Sequence, residues 1–229
     1  MLFRSDGSDG PNSSFGTALG AAGDVDGDGY ADLAVGSPGG ATRAGAVWIF
    51  RGGPAGPSRG AADSVVGALP GETFGSAVVG AGDVNRDGFA DLLVGAPGAF
   101  DRRGAVSLFL GSRDGVVRAP AQRFEGTDPM ERLGLALAPP GDLDGDGFGD
   151  LAAGSSSERT GVGRVRVLVG NGAGLRAGAL LDAPVAATAE TGFGATLEGG
   201  RDLNGDGFDD LVVGASGAAK DRKSTRLNS

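Results

Sequence analysis

Apolar positions in this chain come in short runs separated by turns rich in Gly, Asp and Ser, and the runs fall into matching sets. One kind reads LAVGSP (33–38), LLVGAP (92–97), LAAGSS (151–156) and LVVGAS (211–216). An alternating kind follows it: AVWIF (46–50), AVSLFL (105–110) and RVRVLV (164–169). In the last of these, Arg164 and Arg166 alternate with Val165, Val167 and Val169, the period-two pattern of a strand with one wet face. A weaker run closes each set: SVVGAL (64–69), QRFEG (122–126) and ALLDA (179–183). Each set opens on an apolar–Gly pair: Phe15-Gly16, Phe74-Gly75, Leu133-Gly134 and Phe193-Gly194. With a strand between that pair and the acidic loop that comes next, each unit reads as four short strands joined by Gly-rich turns. No segment carries helical periodicity.

The acidic loop is the most regular feature. It reads DVDGDGYAD (24–32), DVNRDGFAD (83–91), DLDGDGFGD (142–150) and DLNGDGFDD (202–210), with starts 59, 59 and 60 residues apart. A constant period of this size means one structural unit repeated. Oxygen-bearing side chains stand at loop positions 1, 3, 5 and 9, and Gly lets the chain fold tightly between them. Hard cations, calcium above all, take several oxygen ligands from such a loop, and magnesium suits an all-protein cage poorly. The expected ligands are Asp24, Asp26, Asp28 and Asp32; Asp83, Asn85, Asp87 and Asp91; Asp142, Asp144, Asp146 and Asp150; and Asp202, Asn204, Asp206 and Asp210. Tyr30, Phe89, Phe148 and Phe208 at position 7 would add backbone carbonyls, for about four calcium ions in all. An EF-hand needs Glu at position 12 and a following helix. Position 12 is Val35, Val94, Ala153 or Val213, inside a predicted strand. Sites 1 and 3 carry four carboxylates; site 2, with Asn85 and the nearby charge of Arg86, ranks weakest.

Four-stranded units repeated in line predict an all-β chain, a partial β-propeller whose radial stacking shields sheet edges. A β-solenoid has much shorter repeats. The ordered Phe-Gly, DxDxDGxxD and Gly-Ala-Pro motifs resemble the FG-GAP repeat of the integrin α-chain N-terminal propeller. The resemblance covers roughly residues 1–217, and the propeller domain is set at 1–219, in repeats at about 15–73, 74–132, 133–192 and 193–219. Unit 3 departs from it at Leu133 and Gly154-Ser155-Ser156, and unit 4 at Gly214-Ala215-Ser216. Relatives of this kind have seven blades. The chain is therefore expected to be a fragment with three complete blades and parts of others, residues 2–4 closing a preceding unit. Residues 220–229 break the pattern and read as an extraneous tail.

Composition narrows function further. There is no Cys and no His, which removes disulfides, the usual zinc sites and any Ser-His-Asp or Cys-His pair. The lack of Cys fits a bacterial FG-GAP repeat protein better than an animal integrin. Net charge is −9, but 14 Asp sit at the ligand positions of the loops; without them 15 acidic residues face 20 basic ones. The acidity is local, and nothing resembles the basic face that nucleic acid needs. No run is long enough for a transmembrane helix, and the N-terminus lacks a signal-peptide core. Paired carboxylates can be catalytic, but here each pair belongs to a loop built four times, and the chain is read as not an enzyme. Trp48 is expected in packing and Arg102-Arg103 in a solvated loop.

In an antiparallel blade, turns 1–2 and 3–4 share one face of the disc. The calcium loops lie there as clips. Turns 2–3 (37–45, 96–104, 155–163) and the blade links (69–73, 126–132, 186–192) lie on the other, vary between copies, and suit recognition of a protein or glycan. The resemblance implies the same face. The leading reading is an extracellular or cell-surface, calcium-stabilised adhesion module. The alternatives are the propeller of a larger secreted hydrolase, like glycosylphosphatidylinositol-specific phospholipase D, and a purely structural surface module.

Overall fold

A computed structural model describes residues 13–39, 44–156, 163–183 and 192–215. The expected closing strand at residues 2–4, the tail at 220–229, and parts of the loops at 37–45, 155–163 and 186–192 lie outside the described residues.

Three four-stranded antiparallel sheets and one two-stranded sheet follow one another along the chain. The first holds β1 (Ala18–Gly23), β2 (Asp32–Ser37), β3 (Ala46–Phe50) and β4 (Asp63–Val66), in that spatial order. The second holds β5 (Ala77–Gly82), β6 (Asp91–Ala96), β7 (Ala105–Phe109) and β8 (Gln122–Glu125). The third holds β9 (Ala136–Gly141), β10 (Asp150–Ser156), β11 (Gly163–Gly170) and β12 (Leu175–Asp182). The last pairs β13 (Phe193–Arg201) with β14 (Asp210–Ala215). These are blades of a partial β-propeller, as the repeat predicts. The expected strands lie where the apolar runs lie. One departure is β12, which begins at Leu175 because a tight turn at Asn171–Gly174 replaces the longer third turn of the other blades. Another is a single helical turn, Ala99–Arg102, in which Phe100, Asp101 and Arg102 all have positive φ (51°, 55° and 66°).

The core lies between blades. One buried cluster joins blade 1 (Val47, Ile49, Val65) to blade 2 (Phe74, Leu92, Phe109). A second joins blade 2 (Leu93, Leu108) to blade 3 (Leu133, Leu151, Leu168), and a third joins blade 3 to blade 4. Phe15 meets Phe50, and Phe74 meets Phe109, edge to face with centroids 6.4 and 5.7 Å apart. In blade 3 both members change together, to Leu133 and Leu168 in one cluster, so the departure at Leu133 keeps a buried apolar pair. The two other motifs explain themselves here. A side chain on Gly36, Gly95 or Gly154 would collide with the carbonyl oxygen of Gly75, Gly134 or Gly194 in the next blade. Close approach of backbones across the blade interface requires Gly at both motifs.

The links also carry two buried carboxylates. Glu72 and Glu131, two residues before each Phe/Leu-Gly pair, are 3% and 2% exposed. Glu72 accepts from Ala68 N–H and pairs with Arg123 at 3.0 Å. Glu131 accepts from Thr127 N–H and Asp128 N–H. These links are thus partly framework. The Arg102 and Arg103 carbonyls accept from Arg132 and Leu133 N–H, which ties the 2–3 turn of blade 2 to the link while both arginine side chains stay exposed.

Candidate metal centres

Each acidic loop wraps its backbone around the position-1 carboxylate. Asp24 accepts from Asp28 N–H (3.0 Å) and Gly29 N–H (2.8 Å). Asp83, Asp142 and Asp202 accept from the equivalent pairs, Asp87/Gly88, Asp146/Gly147 and Asp206/Gly207. The position-5 carboxylate then accepts from the N–H of position 7, as Asp28 does from Tyr30 at 2.9 Å. The turn needs positive φ at position 6, where Gly stands in every copy (83–92°). It also needs positive φ at position 4, held by Gly27, Gly145 and Gly205 and, in loop 2, by Arg86 at 61°.

Positions 1, 3 and 5 are brought together. In Asp24/Asp26/Asp28 and in Asp142/Asp144/Asp146, one oxygen from each residue lies within 4.8 Å of the others. Like charges held this close repel unless a cation sits among them, and all donors are hard oxygens, so the set fits calcium. In loops 2 and 4 the neutral residue relieves the repulsion: Asn85 Nδ2 donates to Asp87 (2.9 Å) and Asn204 Nδ2 to Asp206 (2.8 Å).

The position-9 carboxylates sit differently. Asp32, Asp91, Asp150 and Asp210 are 0–3% exposed and do not join the two three-carboxylate groups. One oxygen of each accepts from the N–H of position 2: Val25, Val84, Leu143 and Leu203, at 2.8–3.0 Å. In the first three blades the other accepts from the Gly two residues after the third strand's core, Gly52, Gly111 or Gly170. Burial pushes these carboxyls up despite the two donors: Asp91 to about 6, Asp32 and Asp150 in the same direction, with the neighbouring loop charges adding. Position 9 therefore ties the loop to its blade, and each oxygen keeps one lone pair. That anchoring role is invisible in the spacing, because the donor Gly lies 20 residues away.

The position-7 rings join neighbouring loops. Phe89 lies against Gly27 of the preceding loop, and Phe208 against Gly145. At the middle junction the Arg86 guanidinium lies 4.1 Å from the centroid of Phe148. Backbone bonds run beside them, from Ala90 N–H to Asp24 O and from Asp209 N–H to Asp142 O, both 2.9 Å. The loops thus form a continuous row along one face. No described helix is long and apolar enough to cross a membrane. Trp48 is half-buried on β3, paired across to Val35 and Ser64.

Comparison with known proteins fits this geometry. Over 148 residues, or 59% of the chain, it is 41% identical to human (Homo sapiens) "Integrin alpha-IIb", covering 14% of that protein. It is 34% identical to "Integrin alpha-V" of Gallus gallus over 212 residues, covering 86% of this chain and 20% of that one. The chain thus spans about a fifth or less of these curated relatives. Among solved structures, rhamnogalacturonan lyase YesW aligns with 89% of the chain and 41% of its own, at 17% identity and a TM-score of 0.48. The FG-GAP repeat model matches residues 15–50, 74–109, 134–168 and 193–225, each match opening at or beside the apolar–Gly pair and running through the acidic loop. By these four matches the chain belongs to the FG-GAP repeat family of integrin-α-type β-propellers.

Proposed function

We propose that this chain is a recognition or adhesion module whose acidic loops bind calcium as structural clips. One observation carries the reading: the same oxygen-rich loop is built four times along one face, with three carboxylates gathered in loops 1 and 3. Positions 1, 3 and 5 supply side-chain oxygens, position 7 its carbonyl, and position 9 the spare lone pairs of a buried anchor. Sites that bind loosely suit the high calcium outside cells, which supports an extracellular or cell-surface location. A loop present in every blade is poorly explained as a catalytic centre, so we assign the loops no reaction. The domain boundaries given above are proposed with it.

The partner, a protein or glycan, is assigned to the other face, where turns 2–3 and the links lie. Both relatives named above are integrin α chains, which supports adhesion as the role. The experiment is calorimetric calcium titration of the folded chain beside its melting temperature in chelator. Calcium at about 100 times its dissociation constant adds roughly 2.7 kcal/mol per site. Absence of uptake by folded protein would sink the reading. Adhesion of an Arg102→Ala/Arg103→Ala variant, in calcium and in the intact parent protein, tests the face: stability should change by no more than about 0.5 kcal/mol while binding falls.

A further inference from the structure

Loops 1 and 3 carry the same four carboxylates, yet their charged neighbours differ: Arg51 pairs with Asp26 of loop 1, whereas at loop 3 Asp209 accepts from Asp142 N–H and Arg86 lies over the Phe148 ring. Arg51, just after β3, puts Nε 2.9 Å from Asp26 Oδ2, and the Asp26 side chain is 5% exposed. Its Nη2 donates to the Asp114 carbonyl in blade 2 at 3.1 Å, so the guanidinium is tied at two points. The equivalent residue is Leu110 in blade 2 and Val169 in blade 3, neither of them charged. The other Asp26 oxygen, Oδ1, accepts from Asp28 N–H at 3.3 Å, so both oxygens of this position-3 carboxylate are already engaged. Asp63, close to the same turn, is paired with Arg118 at 3.6 Å.

We propose that Arg51 is a built-in counter-cation of the first loop, which makes its calcium site weaker than the third although the two have identical ligands. The inference rests on the calcium reading above. A metal entering loop 1 must share Asp26 with a held positive charge or displace it, and in either case the site offers one less net negative charge. Because the guanidinium is also fixed to blade 2, it cannot swing away without breaking that tie. Arg86 in loop 2 differs, since its charge is placed over the Phe148 ring.

The chain itself supplies the probe. Tyr30 and Trp48 are its single tyrosine and single tryptophan, both in blade 1, and Tyr30 stands in loop 1. Terbium, bound as a calcium surrogate and excited through these rings, reports on loop 1. Asp28→Asn should abolish that emission; persistence would place the ion elsewhere and overturn the assignment. Terbium should half-saturate that emission in Arg51→Leu at about 3- to 10-fold lower concentration than in the wild type, the scale of one nearby charge in a partly exposed site. Arg51→Lys, which keeps the charge, should stay near the wild type. Circular dichroism checks that each variant folds, and Arg51→Gln replaces the Leu variant if it does not. An unchanged or higher half-saturating terbium concentration for the neutral variants overturns the proposal, and means that Arg51 positions Asp26 for the metal. Absence of any calcium uptake by the wild type would instead remove the underlying reading.

Discussion

The second and fourth acidic loops form a natural controlled pair. Both read Asp-x-Asn-x-Asp-Gly-Phe-x-Asp. Both wrap the first Asp with the N–H groups of positions 5 and 6, to which loop 4 adds those of Asn204 and Gly205, and both lay the Asn amide on the third ligand. Their anchors diverge. Asp91 is fully buried with both oxygens on buried N–H groups, from Val84 and Gly111. For Asp210 the corresponding bond comes from Leu203, which is 48% exposed where Val84 is 6%. Burial drives the Asp91 carboxyl up to about 6, while at the exposed Asp202 the backbone donors Gly207 and Gly205 pull the carboxyl down. The ligand shell is thus a property of nine residues. The anchor is a property of the blade, because a third strand and a neighbouring loop bury it.

The largest expected contrast breaks the anchors. Asp91→Ala leaves two buried N–H groups unpaired, at about 1–3 kcal/mol each. A loss of about 3 kcal/mol is expected in metal-free urea unfolding. Among the described residues Asp210→Ala frees only the N–H of half-exposed Leu203, which water can reach, and should cost about 1 kcal/mol. Equal losses would mean that the loop, rather than the blade, sets the energy of position 9.

Acidity separates the two loops by sign. In the folded, metal-free chain Asp91 holds its proton up to about pH 6, against an ordinary 3.8. Its stabilising contribution is therefore complete below the ordinary value and is lost as the pH rises through 6. Asp202 is lowered, so its contribution is present above 3.8 and is lost as the pH falls through its folded value. Relative to Asp91→Asn, the wild type should lose stability between pH 4.5 and 7; relative to Asp202→Asn, it should stay level there and lose stability as the pH falls below 3.8. Saturating calcium should flatten the Asp91 difference, because the cation favours the carboxylate over the acid. Thermal melts across both windows decide it; a wild type that gains on Asp91→Asn as the pH rises from 4.5 to 7 would show that burial does not govern Asp91.

The same contrast explains what the sequence could reveal. Strand order, blade size and the row of acidic loops follow from runs such as LLVGAP and from a 59–60-residue period, since both record local backbone rules repeated in each unit. Asp91 was legible as an oxygen donor but not as an anchor, because its second partner, Gly111, comes from the end of the third strand. Glu72 and Glu131 were read as parts of variable links. Their burial depends on the adjoining blade, and a lone Glu two residues before a Phe/Leu-Gly pair is a faint signal. The Arg51–Asp26 pair is hidden in the sequence for a similar reason: the two lie 25 residues apart, and only the blade's fold brings them together.

The smallest contrast concerns position 4, where loop 2 has Arg86 and loop 4 has Gly205. Both have positive φ, 61° and 80°. A Cβ on Gly205 would meet nothing within 4 Å, so Gly205→Ala tests backbone strain without a clash. The left-handed conformation should cost that variant about 1 kcal/mol. Arg86 already bears the strain, so Arg86→Gly should recover it. The same change removes the guanidinium from the Phe148 ring, a stack worth about 0.5–1 kcal/mol at an exposed site. The two effects nearly cancel, and chemical denaturation of Arg86→Gly should fall within about 0.5 kcal/mol of the wild type. If Arg86→Gly instead stabilises the chain by the full strain energy, the Arg86–Phe148 stack contributes nothing.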